Sequence, residues 1–193
     1  KQYLDRDVEA EEDYMEAFHY NKNDDGIKRN LSLLYFDKDK AKGINFIKDN
    51  ISQERSFEDK LLLSDFYRLS ADFKNAEVTL NNIISENPPH NIKRNAYRIL
   101  ETVFEQQGLL DKANEVNLQR ISLDPKDILA RVDSANRSKA NGNEELSSAK
   151  LKEALEYIDN NSKLHDLSTL ANAFYKNKLY DESIEVFEKF VNV

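Results

Sequence analysis

Cysteine and tryptophan are absent from the 193 residues, and histidine, proline and glycine are scarce, at three, three and four. Without cysteine there is no disulfide, thiolate zinc site, iron–sulfur cluster or Cys nucleophile, and the redox compartment cannot be read. Glycine and proline stand far below their usual ~7% and ~5%, which argues against sandwiches, barrels, collagen-like chains and flexible low-complexity segments. No apolar run approaches the ~20 residues that span a bilayer, and no signal-peptide pattern is present, so the chain is expected to be soluble, without membrane insertion. None of His19, His90 and His165 stands within metal-pair spacing of another, and there is no His-Glu-x-x-His helix motif. Gly26, Gly43, Gly108 and Gly142 each stand alone, so no phosphate-cradling loop and no Gly-x-Ser-x-Gly elbow is formed. The expectation is a helical chain with no metal, no cofactor, no catalytic residues and no enzymatic activity.

Charge is unevenly placed. Residues 1–25 hold nine acids against three bases, a local charge of −6 out of a total of −8, so the body is close to neutral. A phosphate backbone needs a concentrated basic face, and nucleic acid is therefore not expected as a partner. The acidic stretch Glu9 to Asp13 lacks the alternating oxygen ligands and mid-loop glycine of an EF-hand. Its acids are read as helix-start and solubilising residues. The chain opens on Lys1 and stops at Val193 inside an amphipathic stretch, which suggests a segment of something longer; a targeting signal could lie elsewhere, and a cytoplasmic location is expected.

The chain repeats itself. Aligning Pro88 with Pro125 brings Leu63 onto Leu100, Tyr67 onto Phe104 and Ala76 onto Ala113, all 37 residues apart. A further 70 residues place Leu170 on Leu100, Phe174 on Phe104 and Ser183 on Ala113. Within each unit the apolar residues recur at three and four, the spacing of one helical face and not of alternating strands. Polar turns at Ser70-Ala71-Asp72, Gln107-Gly108, Asn141-Gly142-Asn143 and Lys176-Asn177-Lys178 separate paired helices, and Gly108 supplies the left-handed conformation that commonly ends a helix. Asn87-Pro88-Pro89 and Asp124-Pro125 stop the second helix of their units, and His90 is read as a solvated loop residue behind the prolines.

These signals divide the chain into an acidic helical segment, 1–23, and five hairpins, 24–56, 57–93, 94–127, 128–163 and 164–193. The first segment places Leu4, Val8, Ala10, Tyr14, Ala17 and Phe18 at helical spacing, as a lone helix or half of a truncated unit. A single hairpin cannot bury its apolar face alone, so neighbouring hairpins are expected to stack and share a core. Tyr67, Phe104, Phe174 and Phe187 are read as packing residues between helices.

The spaced residues Lys60, Leu63, Ser64, Tyr67, Ala76, Leu80, Pro88 in one unit are matched by Tyr97, Leu100, Glu101, Phe104, Ala113, Asn117, Pro125 in the next and by Leu167, Leu170, Ala171, Phe174, Ser183, Phe187 in the last. This pattern resembles the tetratricopeptide repeat (TPR). It departs from that pattern at Glu101, where a small residue normally lets helices approach, and at Leu80 and Asn117, which replace an aromatic. The resemblance implies an all-α, right-handed superhelical α-solenoid of antiparallel helix pairs, with the first helix of each pair lining a concave groove that takes a peptide or protein segment.

By that register the groove candidates are Asn95, Arg98, Thr102 and Glu105, then Val132, Asn136 and Lys139, then Ser168, Asn172, Tyr175 and Lys176. Asn136 and Asn172 follow the small-residue position, where peptide-binding relatives often carry Asn. An Asn amide both donates and accepts, so it can hold a peptide backbone without reading its side chains. Arg98, Lys139 and Lys176 favour an acidic or carboxylate-bearing ligand. Leu61 and Asp65 stand where the chaperone-tail clamp of some relatives would need Lys and Asn, and that ligand is rejected.

Three functions follow: a non-catalytic scaffold or interaction module, a regulatory or sensing segment of a larger protein, or a self-assembling array associating through the C-terminal hairpin at Phe187, Phe190 and Val191.

Overall fold

The computed structural model describes residues 2–51, 56–158, 162 and 164–191, with side chains described from residue 9 to residue 189 within those ranges. The side chains of Leu4, Val8, Phe190 and Val191 therefore lie outside the described residues. Every regular element among the described residues is an α-helix. In chain order they are α1 (Gln2–Tyr20), α2 (Asp25–Lys38), α3 (Lys40–Asp49), α4 (Ser56–Leu69), α5 (Phe73–Ser85) and α6 (His90–Gln106). There follow α7 (Leu110–Leu123), α8 (Ile128–Ala140), α9 (Glu144–Leu155), α10 (Leu164–Lys176) and α11 (Tyr180–Val191).

Local chemistry explains where these helices begin and end. Asp24, Asp39, Asp72, Asp127 and Asn143 each accept a backbone N–H of the following first turn through their side chains, satisfying donors that the helix itself leaves unpaired. Four of the turns that follow a helix share one backbone device. Ala71, Gly108, Gly142 and Lys178 all sit at positive φ, between 59° and 78°. In each case the turn amides return to carbonyls of the preceding helix, as Asp72 N does to Tyr67 O at 2.9 Å and Leu179 N to Phe174 O at 3.0 Å. His90 is not a loop residue but the first residue of α6, because Pro88 and Pro89 end the preceding segment and Pro89 serves as the N-cap position.

The chain forms two compact units, residues 1–108 and residues 109–193. The division falls between α6 and α7, inside the interval 94–127.

In the first unit, α1 lies against α2 and α3. Phe18 meets Phe46 edge-on at 5.5 Å, and Glu11 accepts from Lys38 Nζ at 2.5 Å and Lys42 Nζ at 3.1 Å. The α2/α3 hairpin is tighter than the others, since Asp39 alone joins the helices. It ends α2 with its own N–H on Tyr35 O, 2.7 Å, and starts α3 with its carboxylate. That closeness is paid by Gly43, where a Cβ would lie 2.5 Å from Phe36 Cβ. Phe36 in turn stacks on Phe66 of α4 at 4.1 Å, joining the first two hairpins through Leu63 and Ile47. Each such side chain contributes roughly 1.5–3 kcal/mol when fully withdrawn from water.

A repeated hydrogen bond fixes the register of these hairpins. Buried Ser32 donates Oγ–H to Arg29 O and buried Ser64 donates to Leu61 O, both at 2.7 Å. Leu31, Ser32 and Tyr35 therefore correspond to Leu63, Ser64 and Tyr67, and through the 37-residue offset to Leu100, Glu101 and Phe104.

In the second unit, Ile128, Val132, Leu151, Leu170, Phe174 and Val186 form one core. Ser147 and Ser183 take the small-residue position, and Ser183 Oγ donates to Ala171 O at 3.0 Å. Asn117, which replaces an aromatic, is also buried and donates Nδ2 to Ala130 O at 2.9 Å. Phe187, expected between helices, stays 45% exposed, because Val186 occupies the buried position of α11.

Candidate functional site

A concavity of about 560 Å³ belongs to the first unit. It is built from three first-unit helices, α2, α4 and α6. Helix α2 contributes Arg29; α4 contributes Glu58, Leu61, Leu62, Asp65 and Arg68; α6 contributes Asn91, Ile92, Asn95, Arg98, Ile99 and Thr102. On α4 and α6 these residues recur at helical spacing, so the groove is one continuous face of each helix. Leucine and isoleucine side chains make a low apolar floor with amides and charges beside it.

Arg68 is held by Asp65, Nε to Oδ1 at 2.8 Å, on its own helix. Arg29 and Arg98 are exposed and have no carboxylate partner among the described residues. The groove thus presents two uncommitted guanidinium groups, each able to grip a carboxylate through two parallel hydrogen bonds. Thr102 spends its hydroxyl on Arg98 O at 3.1 Å, which leaves it less free to serve a ligand than the two arginines.

Of the residues singled out by sequence, Asn95, Arg98 and Thr102 come together in this groove. Leu61 and Asp65, the residues on which the chaperone-tail ligand is rejected, line it too. The remaining candidates lie in the second unit. Asn136 on α8 and Asn172 on α10 are both exposed. Lys139 Nζ donates to Lys176 O at 2.7 Å, closing the last turn of α10. Tyr175, 63% exposed, meets Tyr180 edge-on at 5.6 Å. Val132 is a correction: at 2% exposure it is a core residue, because the apolar stripe of α8 is wider than the family register implies. On α11, Tyr180, Ile184 and Phe187 remain 52%, 55% and 45% exposed at one-turn spacing.

Sequence reasoning missed Arg29, Glu58, Leu62, Arg68, Asn91, Ile92 and Ile99. The signal for Arg29 was present in the pair Leu31-Ser32 against Leu63-Ser64, but the one-residue turn at Asp39 shifts the second half of that hairpin out of the common register. Also missed was a buried polar cluster in the second unit. Arg120, 1% exposed, grips Asp127 through Nε at 2.8 Å and Nη2 at 3.2 Å, and reaches Asp133 through Nη1 at 2.9 Å. Asp127 also caps α8 through Ala130 N. Nearby, Lys150 Nζ donates to Ser134 Oγ at 2.9 Å and Ser138 Oγ at 3.0 Å; burial, reinforced by Arg137, holds its ammonium below the ordinary lysine range. These contacts join α7 to α8 and α8 to α9, and their side chains are engaged with one another. Among the described residues no group of three or more His, Cys, Asp or Glu side chains could hold a metal ion, and no helix is long and apolar enough to cross a membrane.

No family model and no curated protein matches the chain. Solved structures do. The chain is similar to MamA, with a TM-score of 0.59 and 22% identity over 81% of this chain and 91% of that one. A tetratricopeptide repeat protein from Parabacteroides merdae aligns with a TM-score of 0.60 and 17% identity, over 97% of this chain and 79% of that one. YrrB, described as a TPR protein with an unusual peptide-binding site, aligns with a TM-score of 0.51 and 12% identity, over 93% and 91%.

Proposed function

From a fold that is the helical-hairpin repeat of TPR proteins, we propose that the chain is a non-catalytic protein-interaction module. In this reading the first-unit groove takes an extended peptide segment of a protein partner. The observation that carries it is the groove itself. Helices α2, α4 and α6 of the first unit turn toward one concavity, and that concavity offers an apolar floor, two amide side chains and two unpaired arginines. An extended segment exposes backbone donors and acceptors that Asn91 and Asn95 can meet, and side chains that the floor can desolvate. The peptide-binding description of YrrB makes a peptide the first occupant to test.

The test is a random-peptide display selection against the whole chain, followed by affinity measurement on the selected sequences. Asn95→Ala with Arg98→Ala is expected to weaken them by about tenfold or more, the loss of one charge-assisted and one neutral hydrogen bond. The pair Asn136→Ala with Asn172→Ala, on α8 and α10, is measured in parallel. Affinity lost only with that second pair would move the site to the second unit and refute the groove assignment.

A further inference from the structure

The register set by Ser32 and Ser64 puts Arg29, Leu61 and Arg98 at the same position of three successive hairpins, since each lies three residues before Ser32, Ser64 and Glu101 respectively. Across the groove they form a row: guanidinium, aliphatic side chain, guanidinium. All three line the same concavity. Glu58 and Asp65 flank Leu61 on α4, one turn to either side; Asp65 is paired with Arg68 at 2.8 Å, so it is Glu58 that makes the middle of the row electronegative while its two ends are positive.

Resting on the reading that this groove binds an extended peptide, we propose that it selects the pattern acid–x–aliphatic–x–acid, with the two carboxylates on Arg29 and Arg98 and the aliphatic side chain over Leu61. Taking the usual helix spacing of about 8–10 Å for each step of the row, its outer helices are at least roughly 16–20 Å apart. An extended chain advances about 3.3 Å per residue and turns every second side chain to the same face. Side chains at positions one, three and five thus face the row, their ends about 13 Å apart. The long arginine stems lean inward over the remaining distance. Positions two and four face away and are not read.

The centre supplies the discrimination. An acid at position three would be set beside the Glu58 carboxylate and over the aliphatic Leu61, so an all-acidic tract is disfavoured although it carries more charge. Simple attraction to a basic patch predicts the opposite order.

Fluorescence anisotropy with labelled peptides tests this on the whole chain. The probes carry Glu-Ser-Leu-Ser-Glu, Gln-Ser-Leu-Ser-Gln, Glu-Ser-Glu-Ser-Glu and the scrambled Leu-Ser-Glu-Ser-Glu between identical neutral flanks. The first is expected to bind most tightly, with each Glu→Gln change and the central Leu→Glu change weakening it by about tenfold. Arg29→Gln and Arg98→Gln, both at exposed positions that leave the helix signal in circular dichroism unaltered, should each give a similar loss. Arg98→Glu should prefer a probe with Lys in place of one Glu. Equal or tighter binding of the three-Glu or scrambled probe, or no binding of the first probe at about 1 mM, overturns the pattern. The groove reading fails separately: Ile99→Arg, which fills the floor with charge, would then leave the affinity of display-selected peptides unchanged.

Discussion

Replacing Gly43 by alanine sets two effects of opposite sign against each other. Helix propensity favours the change by roughly 0.5–1 kcal/mol, because glycine in a helix interior loses more backbone freedom than alanine. Packing opposes it. The added methyl would stand 2.5 Å from Phe36 Cβ and 2.6 Å from Phe36 Cα and N, where carbon contacts normally sit near 3.5–4.0 Å. Two of those three atoms are backbone, so no rotamer change relieves the overlap. Helices α2 and α3 would have to part by about 1 Å. The single-residue link at Asp39 resists that movement, and Phe36 would be drawn from its stack on Phe66. Overpacking of this kind costs about 1–3 kcal/mol, so the net expectation is a loss of about 1–2 kcal/mol. At an m-value near 2 kcal/mol/M the urea midpoint of the transition reporting the first unit falls by about 0.5–1 M. Gly26→Ala provides the comparison, since its Cβ would meet only the end of the Asp24 side chain, at 3.2 Å; it should stay within about 0.5 kcal/mol of the parent. Urea unfolding followed by circular dichroism reads both. A Gly43→Ala chain as stable as the parent, or more so, would refute the packing argument and leave propensity in command.

Two other perturbations follow from the polar contacts. Arg120→Met removes both hydrogen bonds to Asp127 and the contact to Asp133, leaving a buried carboxylate without its counter-charge, and should cost about 3–5 kcal/mol in a urea titration; a loss below about 1 kcal/mol would contradict the assignment. Glu11 is held below the ordinary carboxylate range by hydrogen bonds from Lys38 and then Lys42. Its folded-state value lies below its unfolded one, so its contribution is present above the unfolded value and is lost as pH falls through the folded one. Glu11→Gln should therefore be slightly less stable than the parent at neutral pH, a small difference at this exposed site, and the two should converge as pH drops below about 4. A stability gap that persists unchanged at low pH would show that the lysine pairing is not its source.

Much of the helical framework could be read from apolar spacing at three and four, because Leu63, Tyr67, Leu100, Phe104, Leu170 and Phe174 face inward on their first helices. The first hairpin was harder. Its missing turn residue removes the left-handed position and displaces the small-residue position onto Gly43, so a search at constant spacing slides past it. Asn95, Arg98 and Thr102 could be named because α6 keeps the common register. Arg29 was passed over, because the match of Leu31-Ser32 to Leu63-Ser64 is short and the one-residue turn at Asp39 breaks the common spacing after it. Long-range ion pairs such as Arg120 with Asp127 leave no periodic trace: an arginine facing inward looks in sequence like any other charge on an amphipathic helix. Val132 was misplaced for a related reason, since the buried stripe of α8, which also takes in Ile128, Ala135 and Ser138, is broader than the repeat pattern allows.

Two of the four left-handed turn positions are glycine and two are Ala71 and Lys178. A side chain at that conformation costs roughly 1 kcal/mol, small enough for the surrounding core to absorb. Glycine at these turns is thus a convenience and not a requirement, whereas a bulky side chain at the small, buried seats of Ala76, Ala113, Ser147 and Ser183 has no room to enter.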